Sequence, residues 1–226
     1  MIIAIDGPAG AGKSTIAQRV ALELGMQLID TGAMFRAVAH RALARGVALH
    51  EDDALSAIAA DMEFAFTWRG DVNVVWCDGV ELGDELRAPQ VSQAASKVST
   101  VPGVRQALLT AQRAIGRARD SVLEGRDVGT VVFPDAELKI FLTADPAERA
   151  RRRTEQLRAK GDDSVTYEHT LAQLRERDER DSKRAHAPLL RAHDAIAVDS
   201  TSMPIDEVIA LILERARLAR GPQGAQ

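Results

Sequence analysis

Aromatic side chains are scarce in this 226-residue chain, at 4%, whereas hydrophobic residues as a whole reach 46%. Any core must therefore be aliphatic. Cysteine is scarcer still: Cys77 stands alone, which excludes an internal disulfide, and no spacing fits a zinc site. Histidines 40, 50, 169, 186 and 193 form no ligand pattern. No apolar run approaches the roughly 18 residues that a membrane-spanning helix needs, so no membrane partner is expected. Basic excess is missing too, with 29 Lys and Arg against 33 Asp and Glu. That balance argues against bulk electrostatic binding of nucleic acid. The first recognisable motif starts at Gly7, which leaves no room for a signal or transit peptide. A soluble, cytoplasmic monomer is the expectation.

What is present begins at that motif. Gly7-Pro8-Ala9-Gly10-Ala11-Gly12-Lys13-Ser14, continued by Thr15, follows the apolar run Ile2–Ile5 and Asp6. It fits G-x-x-x-x-G-K-[ST], the loop that wraps nucleotide phosphates. Glycines let the backbone curl until its N–H groups point inward at phosphate oxygens. Lys13 can reach the β and γ phosphates, and the Ser14 hydroxyl can ligate magnesium. A helix opening at Lys13 adds its positive dipole end to the same anion.

Along the chain, residues 2–6 read as a strand, 13–24 as a helix and 26–30 as a second strand. Helices are expected over 33–45 and 52–61. The texture then changes: residues 63–68 and 72–77 alternate like a hairpin, with Arg69-Gly70-Asp71 and Asp78-Gly79 as turns and a third strand over 80–82. Helices follow over 90–98 and 103–118, then strands over 121–124 and 138–142. A helix from Pro146 to Lys160, a break at 161–164 and a polar helix over 167–184 come next. A strand over 195–198 and a helix over 204–220 close the fold, with a frayed tail from Gly221. Five apolar strands alternating with helices predict an α/β fold, a doubly wound five-stranded parallel sheet with a small antiparallel β insert. Ligands of such sheets sit beyond the carboxyl ends of the strands.

Polar motifs follow those ends. In Asp30-Thr31-Gly32-Ala33-Met34-Phe35-Arg36, Thr31 or Gly32 could cap the next helix, and Arg36 could swing back toward a second anion. An ordinary cap with a solvated arginine accounts for the same residues. In Glu124-Gly125-Arg126-Asp127-Val128-Gly129-Thr130, two glycines flank an Arg–Asp pair. Arginine suits phosphate, and a carboxylate can accept from an exocyclic amine such as cytosine N4; a structural turn with a local ion pair is the plainer alternative. The charged run 175–184 is ordinarily a solvated helix face, yet Arg177, Asp181 and Arg184 share one face at i, i+4 and i+7. Arg180 lies on a neighbouring face. Arg149, Arg151, Arg152 and Arg153 cover more than one face, so some of them must be solvated. A phosphate loop with basic residues after several strand ends makes a site for two anionic partners, as phosphoryl transfer requires.

Taken with its order, the chain resembles the bacterial cytidylate kinases. The likeness runs through IDGPAGAGKST, DTGAMFRAVA (30–39), QAASKVS (93–99), VRQALL (104–109), EGRDVGTVVFPDAELKIFL (124–142) and RERDERDSKRAHAPL (175–189). The resemblance implies transfer of the ATP γ-phosphate to CMP and dCMP with magnesium. It implies a phosphate-loop core over 1–35 and 119–226, a short lid within it at about 153–180, and a monophosphate-binding region over 36–118 carrying the insert at about 62–84. By position it assigns Thr31, Arg36 and Arg126 to the acceptor phosphate, Ser96, Arg105 and Asp127 to cytosine, Arg177 and Asp181 to the ribose, and Arg184 to the acceptor site. Lys13, Arg126 and Arg180 are the candidate catalytic charges, and Ser14 the candidate magnesium ligand. No aspartate after a long apolar strand offers itself as a second magnesium-orienting acid. A kinase for UMP or AMP is the alternative within the class, although uracil presents an acceptor where cytosine presents an amine. A nucleotide-binding regulatory protein is the alternative outside it, disfavoured by the lack of an Asn-Lys-x-Asp motif.

Overall fold

Apolar strands and amphipathic helices alternate through most of the chain, and the computed structural model describes residues 1–159 and 161–221. The elements are β1 (Ile2–Asp6), α1 (Lys13–Leu24), β2 (Gln27–Asp30), α2 (Thr31–Ala44), α3 (Asp52–Ala60), β3 (Phe64–Arg69), β4 (Val72–Cys77) and β5 (Val80–Leu82). They continue with α4 (Pro89–Val98), α5 (Pro102–Arg117), β6 (Ser121–Gly125), β7 (Leu138–Thr143), α6 (Pro146–Arg158), α7 (Tyr167–Lys183), β8 (Ile196–Asp199) and α8 (Ile205–Arg220). A 3-10 turn covers Asp84–Arg87, and a π-helical turn covers Val128–Val132.

The expected five-stranded parallel sheet is present, in the order β2-β6-β1-β7-β8. Alternation along β1 separates two cores. Ile3 and Ile5 pack with Ile16 and Val20 of α1 and Ile209 and Ile212 of α8. Ala4 faces the other way, toward Met34 and Val38 of α2, Val98 of α4 and Leu108 of α5. Burying each of the larger side chains contributes roughly 1.5–3 kcal/mol, so the aliphatic composition suffices for both layers. At the carboxyl edge, Asp6 stands opposite Gly125, and Asp30 opposite Glu124. These strand ends frame the cleft.

The insert forms a three-stranded antiparallel sheet, β3-β4-β5. Cys77 pairs with Val80 across Asp78 and Gly79, whose φ values of 52° and 75° give the left-handed two-residue turn that Asp-Gly favours. Phe66 and Cys77 join the core beside α2, whereas Trp68 packs against the α1 layer. The Trp68 indole donates to the Met26 carbonyl at 3.1 Å, and the Gln18 amide to that of Asp71 at 2.6 Å. The insert thus spans both layers.

Several boundaries shift by one or two residues: β8 runs Ile196–Asp199, and α7 ends at Lys183, so that Arg184 is its C-cap in an extended conformation rather than part of the helix. Helix α2 starts at Thr31, and its N-cap is Asp30, which accepts from the Ala33 N–H at 2.8 Å, rather than Thr31 or Gly32. Asp30 sits at the end of β2 with a carboxylate of the right reach, while the Thr31 hydroxyl is bonded elsewhere. Helix α6 stops at Arg158, and its expected end at Lys160 lies outside the described residues. So does the tail beyond Gly221.

Candidate active site

The phosphate loop joins β1 to α1 in a shape only glycine allows. Gly7 has φ 148°, and a β-carbon there would lie 1.9 Å from the Leu142 carbonyl oxygen. Gly12 caps α1 in the left-handed region, at φ 89°. No side chain caps that helix, and its first turn carries no acidic residue, so its N–H groups favour an external anion. Lys13 is 6% exposed, and its Nζ donates to the Pro8 carbonyl at 2.7 Å. Burial, and then the charge of Arg126, push the Lys13 pKa well below its ordinary value, against the pull of Glu124. The negative charge of an arriving phosphate would offset both effects.

Glu124, at the end of β6, accepts from the Ser14 hydroxyl through Oε2 at 2.9 Å. Burial, and then the Asp30 charge, raise its pKa. A glutamate on a short strand beside β1 thus stands against the Ser14 hydroxyl, a contact between residues 110 apart that the sequence did not reveal. Among the described residues no group of three or more His, Cys, Asp or Glu side chains is arranged to hold a metal. A hydroxyl backed by one carboxylate fits magnesium, which keeps several water and phosphate ligands. It does not fit a metal that needs a full protein cage.

Across the cleft, Asp127 is held between Arg105, paired with its Oδ2, and Arg184, whose Nη2 reaches its Oδ1 at 3.2 Å. Arg105 also stacks over Phe35 at 5.4 Å from the ring centroid and donates to the Ser99 carbonyl at 3.2 Å. Arg184 donates from Nε to the carbonyl of Ala187, which stands at φ 51°, a left-handed conformation that costs a non-glycine residue energy. Burial, and then Arg105, lower the Arg184 pKa. Beside this clamp, Arg126 donates from Nε to Asp181 Oδ2 at 3.0 Å, and Arg177 stands 3.9 Å from the same oxygen. Burial works to raise the Asp181 carboxyl, but Arg126, Arg177 and Arg184 outweigh it and hold it below the usual range. One carboxylate thus faces three guanidiniums. Burial, and then Arg126, bring the Arg177 pKa down to about 10, and its Nε has no hydrogen-bond partner.

The remaining expected residues divide. Arg36 pairs with Asp30 at 2.6 Å, its Nε also unpartnered. The buried Thr31 hydroxyl donates to the Glu124 carbonyl at 2.7 Å, so in this arrangement its proton is not free for a phosphate. Ser96 is buried and accepts from Arg180 Nη1 at 2.8 Å, and Arg180 also pairs with Glu176. Arg180 therefore bridges α7 to α4. The α6 arginines, not separable by sequence, sort by contact. Arg149 is buried, donating to the Ala144 and Ala9 carbonyls and pairing with Asp178 at 2.7 Å. Arg151 is a surface partner of Glu148 and Glu155, and Arg152 holds the Ser200 carbonyl. Arg153 bonds Gln156 on its own helix, and burial, then the charges of Arg36 and Arg87, lower its pKa.

The cleft therefore joins a phosphate loop to an arginine-rich second site with a clamped carboxylate. The family model for cytidylate kinase matches residues 3–218. A cytidylate kinase of Pelotomaculum thermopropionicum is 48% identical over 96% of this chain and 96% of its own length. One of Pseudomonas paraeruginosa is 50% identical over 94% of this chain and 93% of its own length. A solved structure of an uncharacterized protein from Eubacterium ventriosum superposes with a TM-score of 0.53, covering 95% of this chain and 96% of that one. At 13% identity that likeness bears on the fold alone. A phosphate-loop sequence beside an arginine-rich cluster, and near-full-length identity at about half of all positions, converge on one conclusion: the chain belongs to the cytidylate kinase family.

Proposed function

We propose that this kinase moves the γ-phosphoryl group of ATP to CMP or dCMP, releasing ADP and CDP or dCDP. The observation that carries the reading is the Asp127 carboxylate, fixed by Arg105 and Arg184 in the loop that leaves β6 beside the phosphate loop. A carboxylate with lone pairs to spare accepts from the N4 amine of cytosine and repels O4 of uracil. Ser96 and Arg105 complete base recognition, and Arg177 and Asp181 meet the ribose. Arg36, Arg126 and Arg184 hold the acceptor phosphate, in a region where Arg105, Arg126, Arg177 and Arg184 outnumber their partners Asp127 and Asp181. Thr31 joins them by exchanging its bond to the Glu124 carbonyl for one to phosphate.

On the donor side, Gly7–Thr15 wraps the ATP phosphates with Lys13 on the β and γ oxygens. An acceptor phosphate oxygen attacks the γ-phosphorus as the bond to the β–γ bridging oxygen breaks, and that oxygen leaves on ADP. The acceptor is already an anion, so orientation and charge screening by Lys13, Arg126 and Arg180 take the place of a general base. Ser14, with Glu124 behind it, would hold magnesium, which supplies charge neutralisation on the phosphates when bound. Residues 1–35 and 119–226 form the core, 36–118 carry the acceptor, and 153–180 act as a lid whose closure excludes water. The protein works as a cytoplasmic monomer without nucleic acid. Incubating it with ATP, magnesium and each of CMP, dCMP, UMP and AMP tests this by chromatography of the products. CDP and dCDP are expected well above UDP; a preference for UMP or AMP, or ATP hydrolysis indifferent to acceptor, contradicts it.

A further inference from the structure

Asp6 is the last residue of β1, 5% exposed, and the phosphate-binding chemistry above makes no use of it. Its carboxylate accepts from the Val128 N–H at 2.8 Å through Oδ1 and from the Gly129 N–H at 2.7 Å through Oδ2. Those are the opening N–H groups of the π-helical turn Val128–Val132, which has no side-chain cap of its own from Asp127. The donors lie more than a hundred residues away in sequence, so nothing local requires the contact.

The chain around it explains what the contact does. Gly125 pairs with Asp6 in the sheet, and then the chain leaves β6. It turns so tightly that a β-carbon on Gly125 would lie 2.6 Å from Val128 Cγ2 and 2.7 Å from Thr31 Oγ1. Three residues later, at Val128, it is caught again by the Asp6 oxygens. Arg126 and Asp127 are therefore the two residues of a short loop whose backbone is pinned before them by strand pairing and after them by Asp6. Burial raises the Asp6 pKa to about 6, against the two backbone hydrogen bonds. Keeping an acid so buried is costly, and a neutral side chain could fill the volume, so the two bonds are what the carboxylate offers there.

We propose that Asp6 is a positioning residue for acceptor recognition: by holding the N–H groups of Val128 and Gly129 it sets the orientation of Arg126 and Asp127 toward the acceptor base and phosphate. The inference rests on the reading that Asp127 meets the cytosine amine. It links the strand that leads into the donor loop to the group that selects the acceptor.

Asp6→Asn tests it, because an amide keeps the shape but can satisfy only one of the two N–H groups with its oxygen and turns a donor toward the other. The wild-type protein is first assayed with ATP and CMP, and absent CMP-dependent ADP release there would overturn the functional reading rather than this one. In an active background, Asp6→Asn should lower kcat/KM for CMP by about tenfold or more, the scale of a hydrogen bond to a charged group. The CMP-over-UMP preference should shrink, while the KM for ATP changes much less. A loss shared equally by CMP, UMP and ATP, or an unchanged CMP-over-UMP ratio, overturns the proposal. Should Asp6→Asn fail to fold, Asp6→Glu serves, since it keeps the charge but its extra methylene moves both oxygens out of register with the Val128 and Gly129 N–H groups. It should shrink the CMP-over-UMP ratio in the same direction, and an unchanged ratio overturns the proposal equally.

Discussion

On the donor side of the cleft, shape comes from the backbone of one short stretch: Gly7, Gly10 and Gly12 take left-handed φ values, and Lys13 curls onto the Pro8 carbonyl. The acceptor side confines special backbone to the turn after Gly125 and to Ala187, and otherwise relies on side chains. It is assembled from side chains of α2, α4, α5, α7 and the loop after β6, held by ion pairs such as Arg105–Asp127 and Arg126–Asp181. A backbone cradle accepts any polyphosphate of the right size. A network of paired side chains has to be specified residue by residue and so can tell one base from another. The difference separates binding from selectivity.

The comparison breaks most visibly at Lys13. Lys13→Ala removes the one buried ammonium of the donor loop, and turnover should fall by about a thousandfold, as when a charge-stabilising donor is lost from an active site. Circular dichroism should show the fold intact, and an active variant would remove the lysine from the phosphate loop's work. Arg149→Ala probes the strut beneath that loop. Breaking the buried pair with Asp178 and the bond to the Ala9 carbonyl should cost about 3 kcal/mol in urea-induced unfolding. Glu124→Gln sharpens the donor side, because the Ser14 bond survives while the charge is lost. A magnesium titration of turnover should shift by about tenfold. Arg151→Ala, by contrast, deletes only exposed pairs with Glu148 and Glu155, and stability should change by less than about 1 kcal/mol.

The same contrast explains what the sequence could disclose. The phosphate loop, the strands and the Asp78-Gly79 turn are readable because local spacing and residue type determine them. The face formed by Arg177, Asp181 and Arg184 was visible as helical periodicity, but that all three guanidiniums of Arg126, Arg177 and Arg184 converge on Asp181 was not. Long-range partners leave little local trace: Ser14 with Glu124, Ser96 with Arg180, and Asp6 with Val128 and Gly129 join residues far apart in the chain. Thr31 illustrates the limit from the other side. Its type and place suited a helix cap, yet the Glu124 carbonyl, brought in by β-strand pairing, took its hydroxyl and left the cap to Asp30. The arginines at 149, 151, 152 and 153 needed tertiary contacts to be told apart at all.

The most direct test of separately built half-sites is calorimetric titration of CMP and of a non-hydrolysable ATP analogue into wild type, Lys13→Ala and Asp127→Ala. The account expects a crossed pattern: Asp127→Ala weakens CMP by about tenfold or more and leaves the ATP analogue within about twofold, whereas Lys13→Ala does the reverse. Both variants weakening both ligands alike would contradict it.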